Sequence, residues 1–251
     1  MNLSKIKEEL LLIDSAENIS KDILIVVHDQ LEYVIKCIDS IYRNTQNFNL
    51  YIWNNNSKKE TVDYLELLQK EKDNVKLFNH NENLGFILPN NTMIKETKSP
   101  YVILLNSDVV VEEMWDLVLI GFLENNDQVA TVGYDGGILN SQGKGVGRGL
   151  GHDIDYVCGH CLCIPRKTYE QFGLFDEENL KFAYCEDADF SLRLRENNKK
   201  IYACYSNKLI HHFQNKTSTQ VLFNEFNFSD KVKSNMEYIK NRWAKFLINK
   251  E

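Results

Sequence analysis

Three short polar runs, far apart in the chain, hold the side chains best suited to group-transfer chemistry. Asn106-Ser107-Asp108 follows the apolar run Tyr101 to Leu105, so Asp108 stands at the carboxyl end of a buried strand. In open α/β sheets ligands bind just outside the carboxyl ends of the strands. A lone carboxylate there, beside an amide and a hydroxyl, suits a hard divalent cation that also holds phosphate oxygens. Glu186-Asp187-Ala188-Asp189 supplies a cluster of acids, and His211-His212 supplies imidazole. Cation seat, base and phosphate ligand together are the equipment for moving a group off an activated diphosphate.

The elements that must position these groups alternate along the chain. Leu3, Ile6, Leu10 and Ile13 suggest an amphipathic helix over residues 1–20. Ile23 to Val27 is a β-branched run of the kind found in strands buried on both faces. A helix carrying Tyr33, Val34, Cys37, Ile38, Ile41 and Tyr42 follows, then a strand over Leu50 to Trp53. Ser57, with Glu60 at the capping-box position, is expected to cap a helix that buries Val62, Tyr64, Leu65 and Leu68. A third strand over 75–78, a helix over 87–97, a fourth strand over 101–106, a helix over 114–124 and a fifth strand from Val129 complete the regular part. Such alternation with short loops predicts a Rossmann-like, mostly parallel sheet with helices on both faces.

From Gly133 to Gly151 the pattern breaks. Eight of the twelve glycines fall there, and the stretch is expected to be a mobile loop near the site. Beyond it a strand over 156–165, a short helix over 167–172, a helix over 186–197 and a strand over 200–204 are expected. The tail from 228 to 250 reads as a helix with Val232, Met236, Ile239, Trp243 and Phe246 on one side.

Four strand ends bring polar groups to one edge of the sheet: His28-Asp29, Asn54-Asn55, Asn79 to Gly85, and Asn106-Ser107-Asp108. A nucleotide site needs such convergence, since the base wants amide or carboxylate partners and the phosphates want a cation. Turn forming and capping also favour Asn, Asp and Ser at single turns, but four in succession exceed that explanation.

At 251 residues, 43% hydrophobic and 26% charged, the chain can bury a sizeable core. A net charge of -7 argues against nucleic acid as a partner. The apolar run Leu10 to Ile13 is too short for a signal peptide, and no window approaches the roughly 18 residues that span a bilayer. Six cysteines without a signal peptide are expected to be reduced thiols, and a cytoplasmic location follows. The basic residues Lys231, Lys233, Lys240, Arg242, Lys245 and Lys250 near the C-terminus suit peripheral contact with the inner face of a membrane, or a helix packed on the domain. The N-terminal helix is available as a homodimer interface.

Six blocks then occur in a recognisable order. They are Asn83-Leu84-Gly85-Phe86 with Asn90-Asn91; Leu104 to Asp108; Cys158-Gly159 with Ile164-Pro165-Arg166; Phe172 to Glu177; Glu186 to Asp189 with Arg193; and His211-His212. Over residues 22–220 the chain resembles the inverting glycosyltransferase family 2 of the GT-A fold, nearest its bacterial rhamnosyltransferase-like members. The resemblance implies an N-terminal extension (1–21), a nucleotide-sugar half (22–134), an acceptor half with a small antiparallel portion (135–220) and a C-terminal amphipathic helix (221–251). It implies a nucleoside diphosphate sugar donor held by Val26, His28, Asn54, Asn55, Asn83, Gly85, Asn90, Asn106, Ser107 and Asp108. It implies Mn²⁺ or Mg²⁺ on Asp108 and His211, with His212 as the alternative inward-facing histidine. Asp187 is implied as the base, and Gly159, Glu186 and Asp189 as acceptor contacts, the acceptor being a bacterial surface, lipid-linked or protein-linked glycan.

The chain departs from the family pattern at three places that bear on the nucleotide base and on metal binding. His28-Asp29 replaces an aromatic-Asn pair, Asn54-Asn55 replaces Asp-Asn, and the metal motif keeps one carboxylate. Two rivals remain at the level of sequence: a glycoside hydrolase using Asp108 and Asp187, and a binding module without turnover. Cys158-Gly159-His160-Cys161 has dithiol spacing, but a strand continues after it, so buried small residues explain it better than a redox or zinc site. The Gly145 to Gly149 run lacks the βαβ setting of a dinucleotide loop. It reads instead as a flexible cover, with Lys144 or Arg148 against phosphate.

Overall fold

The computed structural model describes residues 16–204, 208–211, 228–248 and 250. Most of the helix expected over residues 1–20, and His212, lie outside them. The first half runs β1 (Lys21–Val27), α1 (Leu31–Asn44), β2 (Phe48–Asn55), α2 (Lys59–Glu71), β3 (Val75–His80), α3 (Ile87–Glu96), β4 (Tyr101–Leu105), β5 (Val109–Val111), α4 (Trp115–Glu124) and β6 (Val129–Gly133). The second half adds β7 (Gly136–Leu139), β8 (Gly145–Gly149), β9 (Tyr156–Val157), β10 (Cys161–Pro165), α5 (Arg166–Phe172), α6 (Glu186–Glu196), β11 (Lys200–Ala203), β12 (Leu209–His211), α7 (Phe228–Arg242) and α8 (Ala244–Leu247).

Seven strands form one sheet in the order β11-β6-β10-β4-β1-β2-β3, in which only β10 runs antiparallel to its neighbours. Successive strand residues point to opposite faces, so the apolar runs feed two cores. Ile23, Ile25 and Val27 of β1 pack with Val34, Ile38 and Ile41 of α1 and with Trp115 and Leu119 of α4. Leu24 of the same strand joins Val102 and Leu104 of β4, Met93 and Ile94 of α3, and Phe190 and Leu194 of α6 on the other face. Burial on both faces explains why these strands read as unbroken hydrophobic runs.

Three expectations are corrected by this arrangement. The 133–151 stretch is not a loose loop: β8, β7 and β9 pair antiparallel into a small sheet. Its glycines serve close packing, since a Cβ on Gly137 would stand 2.0 Å from the ring of Tyr156. Ser57 caps no helix: α2 begins after Lys58 without a side-chain cap. Its hydroxyl instead accepts the Asp29 N–H at 3.0 Å, tying the turn after β2 to the end of β1. The strand expected over 156–165 is interrupted at Cys158-Gly159-His160, which lies between β9 and β10.

The C-terminal helix packs on the domain. Ile239, Trp243 and Leu247 close a third apolar cluster with Leu139, Ala188 and Leu192. Arg242, Lys245 and Lys250, part of the basic face, pair with Asp176, Glu196 and Asp155 of the domain. Among the described residues no helix is long and apolar enough to cross a membrane.

Candidate active site

The parallel arrangement of β4, β1, β2 and β3 puts their carboxyl ends together, and a cleft of ≈ 470 Å³ opens there. Val26 reaches it from β1, His28 from the turn just after β1, Asn55 from β2, Asn83 and Gly85 from the loop after β3, and Asn106, Ser107 and Asp108 from the turn after β4. Asn55 organises the floor. Its Nδ2 donates to Asn83 Oδ1 at 2.7 Å and to the Gly85 carbonyl at 2.8 Å, and its Oδ1 accepts the Leu84 N–H at 2.8 Å. Gly85 adopts φ +79, and a Cβ there would lie 2.3 Å from the carbonyl oxygen of Phe182, so only glycine lets this loop approach.

Two residues expected here go elsewhere. Asn54 donates to Asn79 Oδ1 at 3.0 Å and accepts the Ser57 N–H at 3.0 Å, because its side chain points away from that of Asn55 on the pleated strand. Asn90 is buried in the first turn of α3, where its Nδ2 donates to the Phe86 carbonyl at 2.8 Å. Its neighbour Asn91 pins the segment after α5 by bonding both N–H and C=O of Phe175, at 3.1 and 2.9 Å.

Glu186 and Asp187 enter the same cleft from the first turn of α6. Asp187 Oδ2 accepts the Gly159 N–H at 3.0 Å, and Oδ1 accepts the Ala188 N–H at 2.8 Å. Glu186 is 6% exposed, and its Oε2 is buried without a hydrogen-bond partner among the described residues. Burial, then the charge of Asp187, pushes the Glu186 carboxyl up to about 8. Burial also raises Asp187, while the N–H groups of Gly159 and Ala188 and the charge of Arg148 pull it back. Two carboxyls side by side in a buried site share this penalty on charge, and the hydrogen bonds to Asp187 offset part of it on that side.

Asp189 is the third correction among the expected site residues. It is fully buried and turned toward the C-terminal helix, accepting from Trp243 Nε1 at 2.9 Å and lying 3.4 Å from Arg193 and 3.5 Å from Arg242. Two helical positions place it about 200° around the axis from Asp187, so it braces α6.

The other wall was scarcely visible in the sequence. Tyr156 and Arg148 come from the small sheet, Phe182 and Tyr184 from the segment before α6, and Val232 and Met236 from α7. Arg148 bonds Asp135 at 2.5 Å and approaches the Cys158 sulfur at 3.0 Å. Asp135, Cys158 and His160 bring ligand atoms within 4.8 Å of one another, but the Arg148 guanidinium already neutralises that corner. All six cysteines are free thiols, and burial raises each of them, so the Cys158–Cys161 pair lacks the lowered thiol of a redox centre.

A family model described as Glycosyl transferase family 2 matches residues 22–170, more than half of the chain. The chain belongs to glycosyl transferase family 2. Among curated proteins, an uncharacterized glycosyltransferase of Haemophilus influenzae is 24% identical over 112 residues, covering 44% of this chain and 35% of that protein. Among solved structures, GalNAc-T7 with UDP, GalNAc and Mn²⁺ superposes with a TM-score of 0.67 at 15% identity, over 78% of this chain and 44% of that one. The Pyrobaculum calidifontis mannosyltransferase PcManGT with GDP-Man and Mn²⁺ gives 0.57 at 10% identity, over 80% and 63%. S. aureus TarS 1-349 gives 0.59 at 14%, over 76% and 59%. The chain thus spans about a third of the curated relative and less than two thirds of each of these structures. It shares their GT-A fold: a mostly parallel central sheet with a small antiparallel one.

In this family member the donor chemistry at the end of β4 fits a hard cation. Asp108 is 8% exposed and lines the cleft beside Asn106 and Ser107, all oxygen donors. One carboxylate leaves coordination positions for phosphate oxygens, which is how Mg²⁺-type sites are usually completed. The antiparallel pairing of β12 with β5 sets His211 opposite Val109, the residue after Asp108. Two residues a hundred positions apart are thereby brought to one place in the backbone.

Proposed function

We propose that this chain is an inverting glycosyltransferase that moves a hexosyl or deoxyhexosyl unit from a nucleoside diphosphate sugar to a hydroxyl of a bacterial surface, lipid-linked or protein-linked glycan. The observation that carries this reading is that Asp108 and Asp187, far apart in sequence, line one cleft roomy enough for a sugar diphosphate. In this reading residues 22–134 bind the donor, residues 135–220 bind the acceptor and the C-terminal helix closes the acceptor side. Two of the three structural neighbours are named with a nucleotide or nucleotide sugar and Mn²⁺, which agrees with a donor of this class.

The floor built by Asn55 and the 83–85 loop would take the nucleoside, with Val26 and His28 beside it. Asp108, together with His211, would hold Mn²⁺ or Mg²⁺, which supplies Lewis-acid neutralisation of the departing diphosphate. Asp187, fixed by two N–H groups, accepts the proton of the attacking hydroxyl. As the new C–O bond forms on one face of the anomeric carbon, the bond to the phosphate oxygen breaks on the other, and configuration inverts. Glu186, protonated, keeps a second negative charge away from the base and offers a donor to another acceptor oxygen.

The test measures nucleoside diphosphate release from UDP, GDP, dTDP and CDP sugars, each with and without Mn²⁺, for the parent and Asp187→Asn. One donor should be turned over only with the cation, and the variant should lose about 10²–10⁴-fold in rate, the usual worth of a general base. The variant should still show the donor-induced rise in melting temperature. A parent-like rate in Asp187→Asn would remove it from the base role, and no stabilisation or release by any donor would sink the reading. A lipid-linked acceptor would bring the chain to the inner face of a membrane. Co-sedimentation with anionic vesicles tests that contact, and sedimentation velocity tests for a homodimer.

A further inference from the structure

The segment just before Glu186 is held in an unusual backbone shape. Phe182, Tyr184 and Cys185 have φ of 70, 72 and 71, the left-handed region that side chains with a Cβ seldom occupy. Bulky residues stay there only when surrounding contacts over-determine them.

At one end, the Phe182 carbonyl accepts the N–H groups of Phe86 and Ile87 at 2.6 and 3.1 Å, binding the strap to the loop that carries Asn83 and Gly85. At the other end, the strap runs directly into Glu186 and Asp187. Between them stands Asn235 of α7, which is 0% exposed. Its Oδ1 accepts the Lys181 N–H at 2.9 Å. Its Nδ2 donates to the carbonyls of Lys181, Ala183 and Tyr184 at 2.9, 3.0 and 3.0 Å. One amide thus satisfies both donors and acceptors of a segment that has neither helix nor strand to do so. Among side chains of this size only a carboxamide carries both functions, because Asp accepts but does not donate and Leu does neither.

We propose that Asn235 is a positioning residue, acting through the 181–185 strap to hold Asp187 in register with the donor-side loop at 83–87. This inference rests on the transferase reading above and extends it to a helix outside the 22–170 family match. The C-terminal helix is then part of the working enzyme as well as a packed appendage.

The test uses the full chain with Asn235→Ala and Asn235→Asp, the latter keeping the volume and the acceptor but losing the donors. With the donor identified above, kcat should fall at least about tenfold in both variants, at a temperature well below melting. KM for the donor should change less than about threefold, since Asn55 and the 83–85 floor are untouched. Independently of activity, amide hydrogen exchange in peptides covering 181–187 should accelerate at least about tenfold, while peptides of β1 keep the parent rate. A general loss of stability would instead accelerate exchange everywhere and leave the kcat-to-KM pattern flat. Unchanged exchange in the strap, or a kcat within twofold of the parent in both variants, overturns the proposal. A parent inactive with every donor overturns the transferase reading itself, and the exchange data then report only a structural clamp, which also ends the positioning claim.

Discussion

The main-chain N–H of Gly159 donates to Asp187 Oδ2 at 3.0 Å, joining the break between β9 and β10 to the first turn of α6. This bond explains why a turn interrupts what reads as one long strand. The interruption aims a backbone donor into the cleft, where it fixes one oxygen of the proposed base. With the Ala188 N–H on the other oxygen, the carboxylate cannot rotate without losing a hydrogen bond. In the proposed reaction an acceptor hydroxyl would therefore meet an oriented carboxylate.

Asp108→Asn should separate donor binding from cation dependence. In the parent, Mn²⁺ is expected to enlarge the melting-temperature rise produced by the correct nucleoside diphosphate sugar. In the variant, donor without Mn²⁺ should give the same small rise as donor with it, because the carboxylate proposed to hold the cation is gone. Differential scanning fluorimetry reads this directly. A parent-sized Mn²⁺ effect in the variant would move the cation off Asp108.

Glu186→Gln should flatten two pH profiles. The folded carboxyl is raised to about 8 from an ordinary 4.5, so the native state binds a proton that the unfolded chain has released. Stability from this group is present at low pH and declines as pH rises from about 4.5 to about 8. Urea unfolding of the parent at pH 5, 6, 7 and 8 should show that fall, and the neutral amide should remove it. The activity limb on the basic side of pH 8 should vanish in the same variant. Identical slopes in parent and Glu186→Gln would mean the proton resides elsewhere.

Lys21→Met should be among the most damaging single changes outside the cleft. Lys21 and Asp116 pair at 2.8 Å with side-chain exposures of 0% and 2%. Removing the cation leaves Asp116 buried with its charge uncompensated, at a cost of about 3–5 kcal/mol. Adding Asp116→Leu should restore much of the loss, since an apolar pair avoids the desolvation of both ions. Chemical denaturation of the two single variants and the double variant closes the cycle. Additive losses in the double variant would contradict the pairing.

Much of the fold was legible because its signals are local. The run Ile23 to Val27, the helical spacing of Val34, Ile38 and Ile41, and the polar residues after each strand all reflect periodicities of the nearby backbone. The lining of the candidate cleft was legible where a strand end delivered a group directly, as at His28, Asn55 and Asp108. It was misread where adjacent polar residues share a motif but not a direction. Asn54 lost its place to Asn55 by the alternation of the strand, and Asp189 was drawn to Trp243 by the turn of the helix. The glycine-rich stretch misled for a related reason, since glycine marks both flexibility and close approach. Which applies depends on whether a ring such as that of Tyr156 lies opposite.

The chain alone determined the main strand–helix alternation of its first half, the family, and the polar strand ends, because pattern and spacing act within a few residues. Only the folded molecule decided which acids share a cleft, that Arg148 and Tyr156 form its far wall, and that Asn235 reaches across 54 positions to hold the strap before Glu186. Those outcomes depend on which surfaces pack together, and packing joins residues whose separation in sequence carries no local signal.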